Sequence, residues 1–164
     1  MNDNFSHGTI TNDNHAALWH GRFLEGPDAA AVEFETSIHV DERMALDDIA
    51  GSMAHANMLA KQKIISSEDN KAIQEGLESI RKDLLSGELK IDYSAEDIHS
   101  FIEAVLTDRT GESGRKLHTG RSRNDQIALD ERLYLRRSIK QLQCKIVSLI
   151  KTLAGLASEH KNTL

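Results

Sequence analysis

The chain holds one cysteine, Cys144, in 164 residues, so no disulfide can form within it, and a reducing compartment is the simpler setting. It has one proline, Pro27, and only 4% aromatic residues. Runs of β-branched residues are scarce as well, and these shortages together favour helices over a sheet. No apolar stretch approaches the roughly 18 residues that a membrane span needs. The N-terminus, MNDNFSHGTITNDNHAAL, lacks the basic-then-apolar order of a secretory signal. Residues 1–17 read as a polar tail, and the expected location is cytoplasmic. Positive charge is also in deficit. Against 26 acidic residues stand 20 Lys and Arg, a formal net charge of −6, which argues against nucleic acid as the partner. His7, His15 and His20 show no metal-ligand spacing, so neither metal nor organic cofactor is expected.

What is present is a soluble globular composition, 39% hydrophobic and 28% charged, with clear helical punctuation. After the tail, Gly21, Gly26 and Pro27 break regular structure around Trp19 and Phe23. A helix is expected from Asp41 or Glu42 towards Lys63, its acidic start suited to the positive end of the helix dipole. A second begins at Ser66–Ser67, carries Ile73, Leu77, Ile80 and Leu84 on one face, and stops at Gly87. A third follows Ser94, whose spacing from Asp97 fits a capping box, with Ile98, Phe101, Ile102, Val105 and Leu106 as its apolar stripe. Residues 107–124 read as a loop. The fold class is mainly α: an N-terminal helical domain over 18–115, then 116–164 as a loop opening the first long helix of a helical bundle.

That last helix, expected from Asn124 to Glu159, is the most regular element. Leu135, Ile139, Leu142, Ile146, Leu149, Leu153 and Leu156 alternate between spacings of four and three, the seam of a heptad repeat. Burying seven such side chains is worth on the order of 10–20 kcal/mol gross. A helix bent and packed wholly within the domain is the plainer alternative. The chain stops soon after the seam, and the expectation is that the helix belongs to something longer.

Directly before it stands KLHTGRSRNDQ, Lys116 to Gln126, in which hardly a side chain is apolar. Gly120 permits a tight turn, and Ser122, Asn124 or Asp125 can cap the helix that follows. Arg121 and Arg123 offer planar forks that match carboxylates. A solvated basic loop would have the same composition as one wall of a pocket for an oxygen-rich anion.

The longer run GRKLHTGRSRNDQIALDERLYLR resembles the first sequence block of argininosuccinate lyases, in the fumarase/aspartase superfamily. WHGRF, TSIHVDERM and AEDIHSFIE are similar to further segments of that family; His20 departs from its usual glycine. The resemblance implies a cytoplasmic homotetramer of arginine biosynthesis that splits argininosuccinate into arginine and fumarate without a cofactor. It implies a helical bundle shared among subunits, with each active site assembled from three of them.

By matched position, the resemblance makes Ser37, Arg123, Asn124 and His99 substrate-binding residues, with Thr119 and Ser122 weaker members of the same set. Asp41 would stand near the substrate or support a catalytic histidine. Each has a plainer reading: a hydroxyl satisfying local backbone for Ser37, an ion pair for Arg123, first-turn helix stabilisation for Asp41. Pattern alone makes His99 a partly buried histidine paired with Glu103, four residues on. His118 either orients the loop or packs beneath it. The family's later blocks, T-H-x-Q with its histidine and the mobile loop with the serine favoured as base, are not in this chain. No catalytic acid or base is therefore assigned here, and inactivity in isolation is expected. The alternative is a crystallin-like structural member of the same fold. Binding of nucleic acid or of a membrane is not expected.

Overall fold

The computed structural model describes residues 28–163, and among them only helices and turns occur. The tail, the aromatic stretch around Trp19 and Phe23, and His7, His15 and His20 lie outside the described residues. The chain runs α1 (Ala29–Glu35), α2 (Ile38–Asp41), a 3-10 turn (Glu42–Met44), α3 (Ala45–Lys61), α4 (Ser67–Ser86) and α5 (Ile98–Thr110). Then come α6 (Glu112–Arg115), a second 3-10 turn (Lys116–His118) and α7 (Arg123–Glu159). The mainly α class is as expected from the composition.

The caps explain the boundaries. Ser66 and Asp69 form a reciprocal capping box at the start of α4, and Gly87 ends it at φ +80°. At α5 the cap is Asp97, whose Oδ1 accepts from Ser100 N at 2.6 Å. Ser94 instead donates its backbone N–H to Asp92, so the box read from Ser94 does not form. The helix expected from Asp41 is divided: α2 and a 3-10 turn precede α3. Residues 107–118, read as loop, are largely helical.

α3, α4 and α5 enclose the core. Ile49, Leu59, Ile73, Leu77, Ile80, Ile98, Ile102 and Leu106 are almost completely buried, with Leu117 closing one end. The start of α7 lies close against α3, because Gly51 carries no Cβ there. One built on it would stand 3.0 Å from Leu129 and 3.3 Å from the Asp130 carboxylate. Only Gln126 and Asp130 of α7 are buried, so polar side chains anchor this long helix.

Beyond that anchor α7 is bare. All seven seam residues are 47–58% exposed, and every described residue from Ile139 onward is exposed. The helix is not packed within the domain. Between Glu131 and Glu159 it carries Arg132, Arg136, Arg137, Lys140, Lys145 and Lys151 and no acidic residue. An open groove of about 820 Å³ runs between α3 and α7, bordered by Ala50, Leu133, Arg136, Lys140 and Cys144.

Candidate functional site

The groove's lining includes none of the residues singled out from the sequence. Those cluster instead where the loop before α7 crosses the ends of α3 and α5. Gly120 turns the loop at φ +65°, a conformation that costs a side-chain-bearing residue. Ser122 then caps α7: its Oγ accepts from Asn124 N at 3.2 Å, while Asp125 Oδ1 accepts from Ser122 N at 3.0 Å.

Much of the loop's donor capacity is spent on holding the loop. Arg121 Nη1 donates to Ser52 Oγ at 3.0 Å, and His55 Nε2 donates to the Thr119 carbonyl at 3.0 Å. Burial, with Arg121 and His118 nearby, lowers the His55 pKa against the opposing pull of the Thr119 bond. Lys116 bonds Asp69 at 2.7 Å and, with Ser113 and Ser66, holds that carboxyl well below the usual carboxylate range. Thr119, Ser122 and Asn124 remain exposed.

Arg123 reaches back to α5. Its Nη1 donates to Glu103 Oε1 at 3.0 Å and to Gln126 Oε1 at 2.8 Å; its Nη2 donates to Ser100 Oγ at 3.3 Å. Asp97 Oδ2 stands 3.5 Å from its Nε. A guanidinium has five N–H groups, so this leaves an Nη2 donor for another acceptor, and the side chain is 22% exposed. His118 Nδ1 shares the same Glu103 oxygen at 3.1 Å, which makes it an orienting partner at the loop's base.

Ser37 and Asp41 arrive at the same end of α5. Ser37 Oγ donates to Asp41 Oδ2 at 2.6 Å, and Asp41 Oδ1 accepts from Ile98 N at 3.1 Å. Ser37 is exposed and Asp41 buried. Asp41 therefore does at least its plainer work: it satisfies a free N–H at the positive end of α5.

His99 does not pair with Glu103. It is fully buried, and its Nδ1 lies 3.1 Å from Asp48 Oδ1 on α3 and 3.3 Å from Asp130 Oδ2 on α7. Gln126 Nε2 donates to the same Asp48 oxygen at 2.5 Å. Among the described residues this is the one trio whose potential ligand atoms lie within 4.8 Å of one another, so spacing alone would admit a cation. Burial and the neighbouring Asp48 charge push Asp130 up to about 8, which keeps it neutral at pH 7. Burial opposes the charged forms of Asp48 and His99, but their mutual bond and attraction prevail, lowering the carboxyl and raising the imidazole. These directions favour a charged Asp48–His99 pair beside a protonated Asp130. Asp48, Gln126 and Asp130 were not foreseen from the sequence; the available signal was polar residues falling in line with buried helix faces.

A family model described as Lyase matches residues 21–164. The chain is 55% identical to an argininosuccinate lyase from Clostridium perfringens over 90% of its own length. It is 49% identical to argininosuccinate lyases from Heliobacterium mobile and from Clostridium beijerinckii over the same share. In each case it spans about a third, 32%, of the relative's length.

Proposed function

From the premise that this chain belongs to the lyase family, we propose that it is the N-terminal part of an argininosuccinate lyase. The complete enzyme is a cytoplasmic homotetramer of arginine biosynthesis that cleaves argininosuccinate to arginine and fumarate by β-elimination. The observation that carries this reading is Arg123: a guanidinium steadied by Asp97, Ser100, Glu103 and Gln126, with donor capacity remaining. It lies in the segment whose relatives bear that name. In a β-elimination of this kind, negative charge spreads onto a substrate carboxylate as the proton leaves the adjacent carbon. A preorganised donor at that carboxylate lowers the barrier.

In this reading Arg123 and Asn124 hold substrate carboxylate and amino-acid groups, with Ser37, Thr119 and Ser122 adding neutral contacts. His99 supports them from within. Asp41 aligns Ser37. The proton-transfer groups come from segments outside this chain.

Full-length protein should release fumarate from argininosuccinate, followed by fumarate's ultraviolet absorbance, and the 164-residue chain alone should not. Arg123→Lys in the full-length protein keeps the charge but loses the planar fork, so turnover should fall at least about tenfold, roughly 1.4 kcal/mol in the barrier. Unchanged kinetics would remove Arg123 from the site. A folded, assembled full-length protein with no turnover would favour the crystallin-like alternative.

The exposed seam of α7 should make the isolated chain self-associate into dimers or tetramers. The unbalanced cations give this association an unusual sign. Like charges brought together repel, and salt screens them, so assembly should tighten from about 20 mM to about 500 mM salt. Sedimentation at tens of micromolar reads this directly; a monomer at every ionic strength would refute it.

A further inference from the structure

We propose that Gln126 is a positioning residue that sets the direction of the Arg123 guanidinium, with the buried Asp48 carboxylate fixing which way its amide faces. Gln126 is three residues beyond Arg123, hence on the same face of α7, and is 1% exposed. Its two ends meet groups that permit one orientation. Arg123 Nη1 can only donate and takes Gln126 Oε1 at 2.8 Å. The Asp48 oxygen at 2.5 Å accepts, and so takes Nε2. The amide direction thus follows from its neighbours' chemistry.

The bond matters because of what else surrounds Arg123. Asp97 only attracts its charge, while Glu103 and Ser100, which accept from Nη1 and Nη2, are themselves only half-buried. The Gln126 carbonyl takes Nη1 from a second direction, and Gln126 itself is held by a carboxylate that cannot move within the packed core. Of the three acceptors around the fork, Glu103, Ser100 and Gln126, the last is the one locked within the core, so it sets the plane most firmly. The fixed plane then aims the remaining Nη2 donor. The inference rests on the reading that this donor meets a substrate carboxylate.

The test uses two variants of the full-length protein. Gln126→Glu is isosteric. Protonated, its acid donates O–H to Asp48 and offers C=O to Arg123, as the amide does; ionised, it repels Asp48. Its kcat/KM should therefore be near the parent's at about pH 6 and fall at least about tenfold below it by about pH 8.5, mainly through KM. Gln126→Met, which can do neither, should be impaired across the whole range in whatever fraction folds. A residue that only packs would give parental kcat/KM per folded molecule at every pH in Gln126→Glu. Arginine-selective nitrogen NMR on the same proteins separates this inference from the lyase reading. Separate, slowly averaging Arg123 Nη signals should be present in the parent and lost in Gln126→Glu as pH rises. Should the parent split no argininosuccinate while these signals behave so, the lyase reading fails and the role of Gln126 stands. Arg123 signals and kinetics that follow the parent at every pH would overturn it.

Discussion

Replacing His99 with leucine is expected to lower the unfolding free energy of the chain by about 3–5 kcal/mol at pH 7–8. The substitution removes the imidazole that pairs with Asp48 and faces Asp130 while filling similar space, so packing loss is minor and the effect is the lost partner of a buried carboxylate. Both carboxyls are fully buried, and neither can turn to water. A typical domain has only about 5–15 kcal/mol to lose. The chain can recover part of the loss by protonating the second carboxyl, so the deficit should shrink in mild acid. Urea unfolding at two pH values measures both. A change below about 1 kcal/mol, equal at pH 5 and pH 8, would show that the trio contributes little.

The second large effect is a decline of stability towards alkaline pH that depends on Asp130. Its carboxyl rises from the ordinary 3.8 to about 8, through burial first and the Asp48 charge second. Between these values the folded state keeps a proton that the unfolded chain has released, so stability falls as pH climbs through that window. His99, raised above 6.5, acts in the same direction over its own range. Asp48 acts oppositely: its pKa is lowered, so its contribution is present above 3.8 and lost on further acidification. The groups facing the trio are Gln126 on α7, Asp97 on α5 and Arg121 from the loop. The parent should lose at least about 2 kcal/mol between pH 5 and pH 8.5, since each tenfold difference in proton affinity between folded and unfolded chain is worth about 1.4 kcal/mol. Asp130→Asn, which mimics the neutral acid, should lose less than half as much, the remainder being due to His99. Identical slopes for the two proteins would mean that Asp130 is ionised in the fold.

The elements of this fold were legible in the sequence wherever one local rule governed them. The Ser66 start, the Gly87 stop and the near-exact extent of α7 follow from caps and apolar spacing. Ser94 failed as a cap because a competing local bond to Asp92 captured its backbone, leaving Asp97 to start α5. The region from Thr107 to His118 has no sustained apolar period, so its short helical turns gave no signal. At the candidate site the sequence narrowed the cap of α7 to Ser122, Asn124 or Asp125, and Ser122 forms it. The trio was not legible, because Asp48, His99 and Asp130 meet across three helices and no spacing links them. Glu103 was the local candidate for His99; it faces the loop, where His118 and Arg123 occupy it.

α7 is also a lever. Its last ion pair with the rest of the described chain is Arg137 to Asp47, at 2.7 Å, and the helix then runs unsupported to Glu159, about 33 Å further at 1.5 Å per residue. A bend of about 10° just beyond that point carries the far tip through roughly 6 Å, while the stretch from Arg123 to Arg137 stays pinned by buried Gln126 and Asp130. Arg123 stands more than 50 Å from that tip, roughly the full length of the rod, with the buried anchor between them. The two ends of one rod are thereby separable: the far end can be reseated by several ångströms while the aim of Arg123 is kept by its own neighbours.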